Sequence, residues 1–347
     1  MKFDVVIGNP PYQDNIENRG EQPPLYHMVY DAAIDICDFV TLITPARFLF
    51  DAGKTPHIWN QKMLNNEHFK VIKYYPNSKN VFSSVDIEGG VAITCVNKKI
   101  KYGAIKMFIH DDILRNITIK VNKSKPTSLN TILYSNTSYK YSNSFFAENK
   151  GFAERVSGGS SRYLSSSVFD KFPEVFHDNI PDTKNEYAQI IGRQNNERAT
   201  KYLKKSYLNP PENFENYKIF IPSSNGSGAI GEVLSTPVMG YPIMGYPAMG
   251  ATETFISFGN FKKQNEANNL LKYVKTKFVR LMLGTRKVTQ GNKNPKVWSN
   301  VPLQDFTSNS DIDWSKSIHE IDLQLYKKYG LDDNEIKFIE THVKEMA

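Results

Sequence analysis

The chain has 347 residues, 40% of them hydrophobic and 12% aromatic, which is ordinary for a globular protein with room for two domains. Its formal net charge is +7, from 43 Lys/Arg against 36 Asp/Glu. No run approaches the ~20 apolar residues of a membrane span, and no basic leader with an apolar core opens the sequence. The two cysteines, Cys37 and Cys95, lie in apolar stretches and indicate a reduced cytoplasm without disulfides, and we expect no metal site.

The first 120 residues predict alternating strands and helices. Apolar runs at 3–7, 39–43, 69–75, 90–96 and 102–109 are typical of strands, and helical periodicity covers 25–38 and 57–65. Short apolar strands separated by helices favour an α/β fold with a parallel sheet covered on both faces. Ligands of such sheets bind beyond the carboxyl ends of the strands.

The tetrapeptide Asn9-Pro10-Pro11-Tyr12 stands directly after the first predicted strand. Asn and Pro are common turn residues, so a plain strand-ending turn is one interpretation. A second copy of the first three residues, Asn209-Pro210-Pro211-Glu212, follows no apolar strand and is interpreted as a turn. The position of the first copy at a predicted ligand-binding edge favours a functional role.

Residues 121–150 are rich in Ser, Asn, Lys and Thr, which indicates a boundary. Beyond it, short strands at 188–192, 217–221 and 254–258 alternate with Gly/Ser/Pro loops. A long helix is predicted at 264–283, and two more at 315–329 and 333–346, the last opened by a capping box of Asp332 and Glu335. The second half therefore predicts an α+β domain with C-terminal helices.

The positive charge is concentrated in this second half. Residues 1–120 carry a net charge of +1, whereas 121–347 carry +6, and residues 262–296 hold ten basic side chains against one acidic residue, Glu266. Such an excess indicates a polyanion partner, although a solvated helix face is an equal alternative.

Several stretches resemble the γ-class N6-adenine DNA methyltransferases of type II restriction–modification systems. They are residues 2–13, 39–49 and 81–91, and, in the second half, 219–228, 275–280 and 298–304. The resemblance implies a partial doubly wound Rossmann-like methyltransferase sheet in residues 1–120, a linker at 121–150 and a target-recognition domain at 151–347. It also implies a bacterial cytoplasmic enzyme with double-stranded DNA as substrate and S-adenosyl-L-methionine as methyl donor.

The same resemblance assigns roles to the tetrapeptide. The Asn9 amide oxygen and the Pro10 carbonyl would accept the two hydrogens of the adenine amine, because a delocalised lone pair is a poor nucleophile until it is held in this way. Proline suits the site since its φ is fixed, and Pro11 continues the motif. Tyr12 would stack on the base after it is flipped out of the duplex, and Phe82 would cover its other face.

In that family a donor-binding motif precedes the catalytic motif. Its absence here leads us to expect a complementary N-terminal segment or subunit, an inactive isolated chain, and an exposed edge at residues 3–7. Residues 226–231 match GxGxxG, but no helix or acidic-ended strand follows, so a DNA-facing or structural loop is favoured over a donor loop.

Basic and amide side chains in the second half are candidate DNA contacts, through phosphates for Lys and Arg and through base edges for Arg or Gln. They are Arg193, Arg198, Arg280, Arg286, Lys287, Gln290, Lys293 and Lys296.

Two alternatives stay open. A protein or RNA methyltransferase uses the same motif on a planar amide, and a DNA-recognition subunit without catalysis would keep the basic domain. A cytosine-N4 enzyme is disfavoured because those usually begin the motif with Ser.

Overall fold

The structure is a computed structural model that describes residues 3–13, 23–84, 86–156, 162–195, 197–224, 242–287 and 291–346. Its residues form two compact units, Met1–Asp112 and Ile113–Ala347. Both units are mixtures of helices and strands, so the chain is a mixed α/β protein.

The described residues of the first unit form a four-stranded sheet and two α-helices. Its strands are β1 (Phe3–Gly8), β2 (Cys37–Pro45), β3 (Phe69–Tyr75) and β4 (Val91–Asn97), and its helices are α1 (Tyr26–Ile36) and α2 (His57–Leu64). Six of the seven elements predicted for this region are thereby confirmed within a few residues at each end.

The sheet has the order β1-β2-β4-β3. β1 and β2 are parallel, with Gly8 opposite Leu42. β4 is antiparallel to both of its neighbours, β2 and β3, which corrects the expectation of a purely parallel sheet. The physical reason is that residues 76–90, which join β3 to β4, fold among their described residues as a loop with one short 3-10 turn and without a crossover helix, so the chain returns beside β3 in the opposite direction.

The strand predicted at 102–109 is wrong: no strand is present there. Gly103 and Lys106 adopt positive φ angles of 90° and 57°, which interrupt an extended backbone. Instead of joining the sheet, the Lys106 backbone N–H donates to the carbonyl of Leu64 at 2.8 Å.

Helices of the described residues pack on one face of this sheet. Tyr30 of α1 and Trp59 of α2 are buried with Val40 of β2 and Phe69 of β3 in one apolar core. The opposite face differs from the two-sided cover that the sequence predicts. There, alternate β1 side chains are exposed, namely Phe3 at 49%, Val5 at 48% and Ile7 at 75%.

The second unit begins with α3 (Asp112–Asn122), whose first residue lies at the division between the units. Its other helices are α4 (Asn143–Glu148), α5 (Phe152–Arg155), α6 (Val168–Lys171), α7 (Gln264–Lys275), α8 (Lys277–Gly284), α9 (Ile318–Lys328) and α10 (Asp333–His342). Its strands are β5 (Leu133–Tyr134), β6 (Lys140–Tyr141), β7 (Tyr187–Gln194), β8 (Glu197–Lys204), β9 (Leu208–Asn209), β10 (Tyr217–Pro222), β11 (Ile243–Gly245), β12 (Met249–Ala251) and β13 (Phe255–Phe261).

These strands form three small sheets, in the orders β11-β10-β13-β5, β12-β7-β8 and β6-β9. The capping box predicted from Asp332 and Glu335 is confirmed at the start of α10. The helix predicted at 264–283 is instead two helices, α7 and α8, separated by Thr276 with ψ 150°.

Candidate functional site

Strand pairing in the first unit brings two separate segments to the same edge of the sheet. Asn9–Tyr12 leaves the carboxyl end of β1, which is parallel to β2. β3 has the same direction, because β2 and β3 are both antiparallel to β4. Residues 76–90, hereafter the 76–90 loop, leave the carboxyl end of β3 and return at Val91, which pairs with Pro45 and Tyr75. Phe82 of this loop therefore lies at the edge to which Asn9 belongs.

The rings of Tyr12 and Phe82 are in contact. Their centroids are 6.4 Å apart and their planes meet at 69°, an edge-to-face arrangement. Local hydrogen bonds hold each backbone: the Tyr12 carbonyl accepts from Leu25 N at 3.2 Å, and Phe82 N donates to the Ser78 carbonyl at 2.8 Å. Two aromatics that the sequence associates only through resemblance are thus neighbours, while their proposed roles stay predictions.

The tetrapeptide alternates in exposure: Asn9 and Pro11 are exposed, Pro10 is buried and Tyr12 is half-buried. The Tyr12 hydroxyl oxygen is buried, and it has no hydrogen-bond partner among the described residues. Burial raises the pKa of Tyr12 to about 12, so the ring stays uncharged at neutral pH.

Arg47 belongs to the same edge, although the sequence analysis did not single it out. It opens a short 3-10 turn, Arg47–Phe50, that follows β2, and its guanidinium contacts Glu88 of the 76–90 loop. Gly53 and Gly89, both at positive φ, lie against the Arg47 side chain. The sequence signal was available, because Arg47 stands just after an apolar strand that ends at this edge.

The motif-like residues Asn209–Glu212 lie in the second unit, where Asn209 ends β9 and a turn follows it. The interpretation of that copy as a turn is confirmed from Pro211, whose carbonyl accepts from Phe214 N at 3.0 Å, whereas Asn209 belongs to a two-residue strand.

Two of the candidate DNA contacts share one hairpin. Arg193 of β7 and Arg198 of β8 lie directly opposite each other in the register, and both are exposed. The Arg198 guanidinium stacks over the Phe255 ring at 5.6 Å. The structure therefore brings these two cations together at the end of the β7–β8 hairpin.

The other candidates differ in exposure. Lys293 and Lys296 are exposed and Arg286 is half-buried, whereas Arg280 and Lys287 are 3% and 2% exposed. The Arg280 Nε atom donates to the carbonyls of Lys275 and Thr276, and burial lowers the pKa of Lys287 to about 8. Gln290, like the glycine-rich residues 226–231, lies outside the described residues. All eight candidates stay predictions, with the exposed ones best placed for direct contact.

Comparison with known proteins finds a family similarity in the N-terminal part of the chain. Residues 1–82 match the model of the Eco57I restriction-modification methylase family. A Mycoplasma pneumoniae protein described as an uncharacterized adenine-specific methylase is 30% identical over 95 residues, which are 26% of this chain and 22% of that protein. The chain thus spans about a fifth of the length of that relative.

A solved structure, that of the type IIG restriction endonuclease BpuSI, is similar with a TM-score of 0.35 and 11% identity. The similarity covers 97% of this chain and 52% of that one.

The methylase family implies S-adenosyl-L-methionine as methyl donor. The described residues hold no glycine-rich turn between a strand and a helix that fits this donor, and no group of three metal-ligating side chains. Within them, no helix is long and apolar enough to cross a membrane.

Proposed function

We propose that this chain is the catalytic-motif and target-recognition portion of an adenine-N6 DNA methyltransferase of a restriction–modification system. The methylase family match over residues 1–82 and the adenine-specific relative support this function. The observation that carries it is the contact of the Tyr12 and Phe82 rings at the sheet edge where Asn9 emerges.

The chemistry needs two acceptors and two rings. An adenine amine shares its lone pair with the ring, so acceptors on both hydrogens are required to make the nitrogen more nucleophilic. Asn9 Oδ1 and the Pro10 carbonyl would be these acceptors, and the exposed Asn9 side chain is accessible to a base. Tyr12 and Phe82 would clamp the flipped base, replacing the stacking that it loses on leaving the duplex.

S-adenosyl-L-methionine supplies the methyl group in this class of enzyme. Because the described residues do not fit the donor by themselves, the roles assigned to this chain concern the acceptor base alone. Holding the base in one orientation is itself a large share of catalysis, since rate depends steeply on how reacting atoms are aligned.

The donor side would be completed by a complementary N-terminal methyltransferase segment or subunit. Within the described residues β1 pairs only with β2, which leaves its outer backbone edge open. Exposed Phe3, Val5 and Ile7 add an apolar surface beside this edge. A further strand and its helices, covering edge and face together, would extend the four strands into the doubly wound Rossmann-like sheet that the family resemblance implies.

The second unit would recognise the DNA target. Exposed Arg193, Arg198, Lys293 and Lys296 are suited to phosphates, and the excess of basic over acidic residues in 121–347 supports a polyanion partner.

Asn9→Ala tests the catalytic assignment, with Asn209→Ala as the matched control from the motif-like turn. Each variant would be assayed, together with the polypeptide encoded directly upstream, for N6-methyladenine formed in duplex DNA. Asn9→Ala is expected to lower the rate by about 100-fold or more, because one of two acceptors is lost, whereas Asn209→Ala should keep the rate of the unmodified chain.

Equal rates for both variants and the unmodified chain would contradict the catalytic assignment. If no combination methylates DNA but the chain binds duplexes specifically, the alternative of a DNA-recognition subunit without catalysis is supported instead.

A further inference from the structure

Arg47 joins the carboxyl end of β2 to the 76–90 loop through two bonds to one residue. Its Nε donates to the Glu88 backbone carbonyl at 2.7 Å, and a terminal guanidinium nitrogen pairs with the Glu88 carboxylate. Both the main chain and the side chain of Glu88 are therefore fixed. Arginine suits this geometry because its planar fork donates in several fixed directions, which a lysine ammonium does not.

Two glycines, Gly53 and Gly89, pack closely against the Arg47 side chain. Gly53 has φ 89° and Gly89 has φ 82°, a left-handed conformation that favours glycine. A Cβ atom at Gly89 would lie 2.7 Å from Arg47 Cγ, and one at Gly53 would lie 3.1 Å from Arg47 Cβ. Any larger residue at position 89 would thus displace Arg47.

Hydrogen bonds connect Glu88 to Phe82 through Ser78. Ile87, next to Glu88, donates its backbone N–H to Ser78 Oγ at 2.8 Å, and the Ser78 carbonyl accepts from Phe82 N at 2.8 Å. Ser78 itself is buried. Fixing Glu88 therefore also fixes the turn that presents the Phe82 ring to Tyr12.

We infer that Arg47 is a positioning residue that, through Glu88, holds the 76–90 loop so that the Phe82 ring stays beside Tyr12 at the proposed adenine site. The identity of the ligand in this inference, an adenine base, rests on the proposed function. Whether Arg47 holds the loop in place can be tested independently of that function. Arg47 and Glu88 side chains are 30% and 63% exposed, and exposed ion pairs contribute little to stability. The Arg47–Glu88 pair therefore positions the 76–90 loop, and it adds little to the free energy of unfolding of the unit.

Amide hydrogen exchange on the full chain tests the fastening. Arg47→Ala and Glu88→Ala should speed exchange at Phe82 and Ile87 while β2 and β4 keep their protection and the unfolding midpoint hardly changes. Lys101→Ala is the matched control, since Lys101 pairs with Glu67 at 2.7 Å at the opposite end of β3 and β4. Unchanged exchange in the loop of both alanine variants would overturn the inference.

Kinetics with the upstream polypeptide added test the effect on the site. Arg47→Ala is expected to lower kcat roughly 10- to 100-fold with KM for DNA little changed, because a displaced Phe82 misorients a base that is already bound. Glu88→Gln, which keeps an acceptor for the guanidinium, should retain most of the rate, and Glu88→Ala should lose more. If instead kcat is unaffected by Arg47→Ala while Asn9→Ala abolishes methylation, Arg47 has no positioning role and the proposed function stands. If Arg47→Ala and Asn9→Ala both methylate DNA as fast as the unmodified chain, the result contradicts the proposed function.

Discussion

The Lys218 side chain is fully buried in the second unit, yet its nitrogen lies close to four backbone carbonyl oxygens. The carbonyl oxygens of Asn213, Phe214, Asn216 and Tyr246 lie 2.8 to 3.1 Å from this nitrogen, which shares its hydrogens among them. One amine therefore ties the turn before β10 to the residue that follows β11. A group buried in this way has to be satisfied internally, because water cannot reach it.

Protonation of Lys218 makes the stability of this unit depend on pH. Burial lowers the pKa of Lys218 from its usual value near 10.5 to about 7, against the opposing charge of Glu215. Between these two pH values the unfolded lysine is protonated and the folded one is largely neutral, so the unfolded state binds more protons. The free energy of unfolding should accordingly rise with pH across this window, by up to about 1.4 kcal/mol per pH unit from this group.

Lys218→Met is expected to remove that part of the pH dependence. At pH 9 the variant should also unfold more easily, by about 1–3 kcal/mol, because buried carbonyls lose their donor. Urea unfolding of the full chain at several pH values measures both effects. They are taken as differences from the unmodified chain, because Lys287 also makes the free energy of unfolding depend on pH above pH 8. Lys184→Met, an exposed lysine of the same unit, is the control. A variant with the full pH slope would refute this account of Lys218.

The sequence alone gave no reason to bury Lys218. Tyr217–Pro222 reads as an apolar strand with one charged residue, which is normally placed on the solvent side. The buried site needs the Tyr246 carbonyl, 28 residues away in sequence, to meet three carbonyls of the turn before β10, and a local pattern does not reveal that meeting. The contact of Tyr12 with Phe82 could be anticipated, but through family resemblance and not from local pattern.

At the scale of elements, the β7–β8 hairpin places two like charges opposite each other. Arg193 and Arg198 occupy one cross-strand pair, where like charges normally repel. Stacking on Phe255 offsets part of that repulsion for Arg198. Two exposed guanidinium groups side by side also suit a phosphate group, and we therefore propose this hairpin as a DNA contact.

The double variant Arg193→Ala/Arg198→Ala is expected to weaken duplex binding and to make it less sensitive to salt. Each lost phosphate contact should reduce the slope of log K against log salt by about 0.9, so the pair should reduce it by about 2. Equilibrium binding of a labelled duplex at several salt concentrations measures the slope. Lys327→Ala/Lys344→Ala removes the same charge from exposed sites in the C-terminal region. If both double variants change the slope equally, only net charge matters and the hairpin has no special contact.

The division between α7 and α8 shows why helical periodicity overestimates helix length. Apolar spacing continues through residues 264–283, but at Thr276 the backbone turns away, and its side chain accepts from Val279 N to start a new helix. The buried Asp322 carboxylate accepts the N–H groups of Lys277 and Phe278, each at 2.9 Å. Asp322 lies far along the chain in α9, so no local pattern could have indicated this helix start.

On the scale of the whole molecule, the sequence predicts elements better than it predicts how they are arranged. The sequence predicts β1 to β4 because each is a short apolar run, yet the reversed direction of β4 depends on how the loop before it folds, which periodicity does not show. The sequence does not predict helix 112–122, because its amphipathic pattern runs into the polar stretch at 121–150 that indicates a boundary. The arrangement follows from packing, which needs all elements at once.

One consequence of that packing is an apolar row of Phe3, Val5 and Ile7, exposed beside the β1 edge that pairs with no other strand in the described part of the chain. Edges of this kind pair with other chains unless they are covered. We expect the chain on its own to self-associate through this row. Val5→Thr/Ile7→Thr should reduce the association measured by analytical ultracentrifugation, because threonine keeps strand propensity while removing apolar surface.

Ile58→Thr provides the comparison, since Ile58 is 83% exposed on α2 of the same unit but stands apart from the strand edge. Single exposed apolar residues are normal and need no partner, so this variant should associate like the unmodified chain. The upstream polypeptide should compete with self-association, because one edge cannot pair with two strands at once. A chain that is monomeric at all concentrations, or one whose association ignores Val5→Thr/Ile7→Thr, would show that the β1 edge is not a pairing surface and would remove the structural support for a complementary segment.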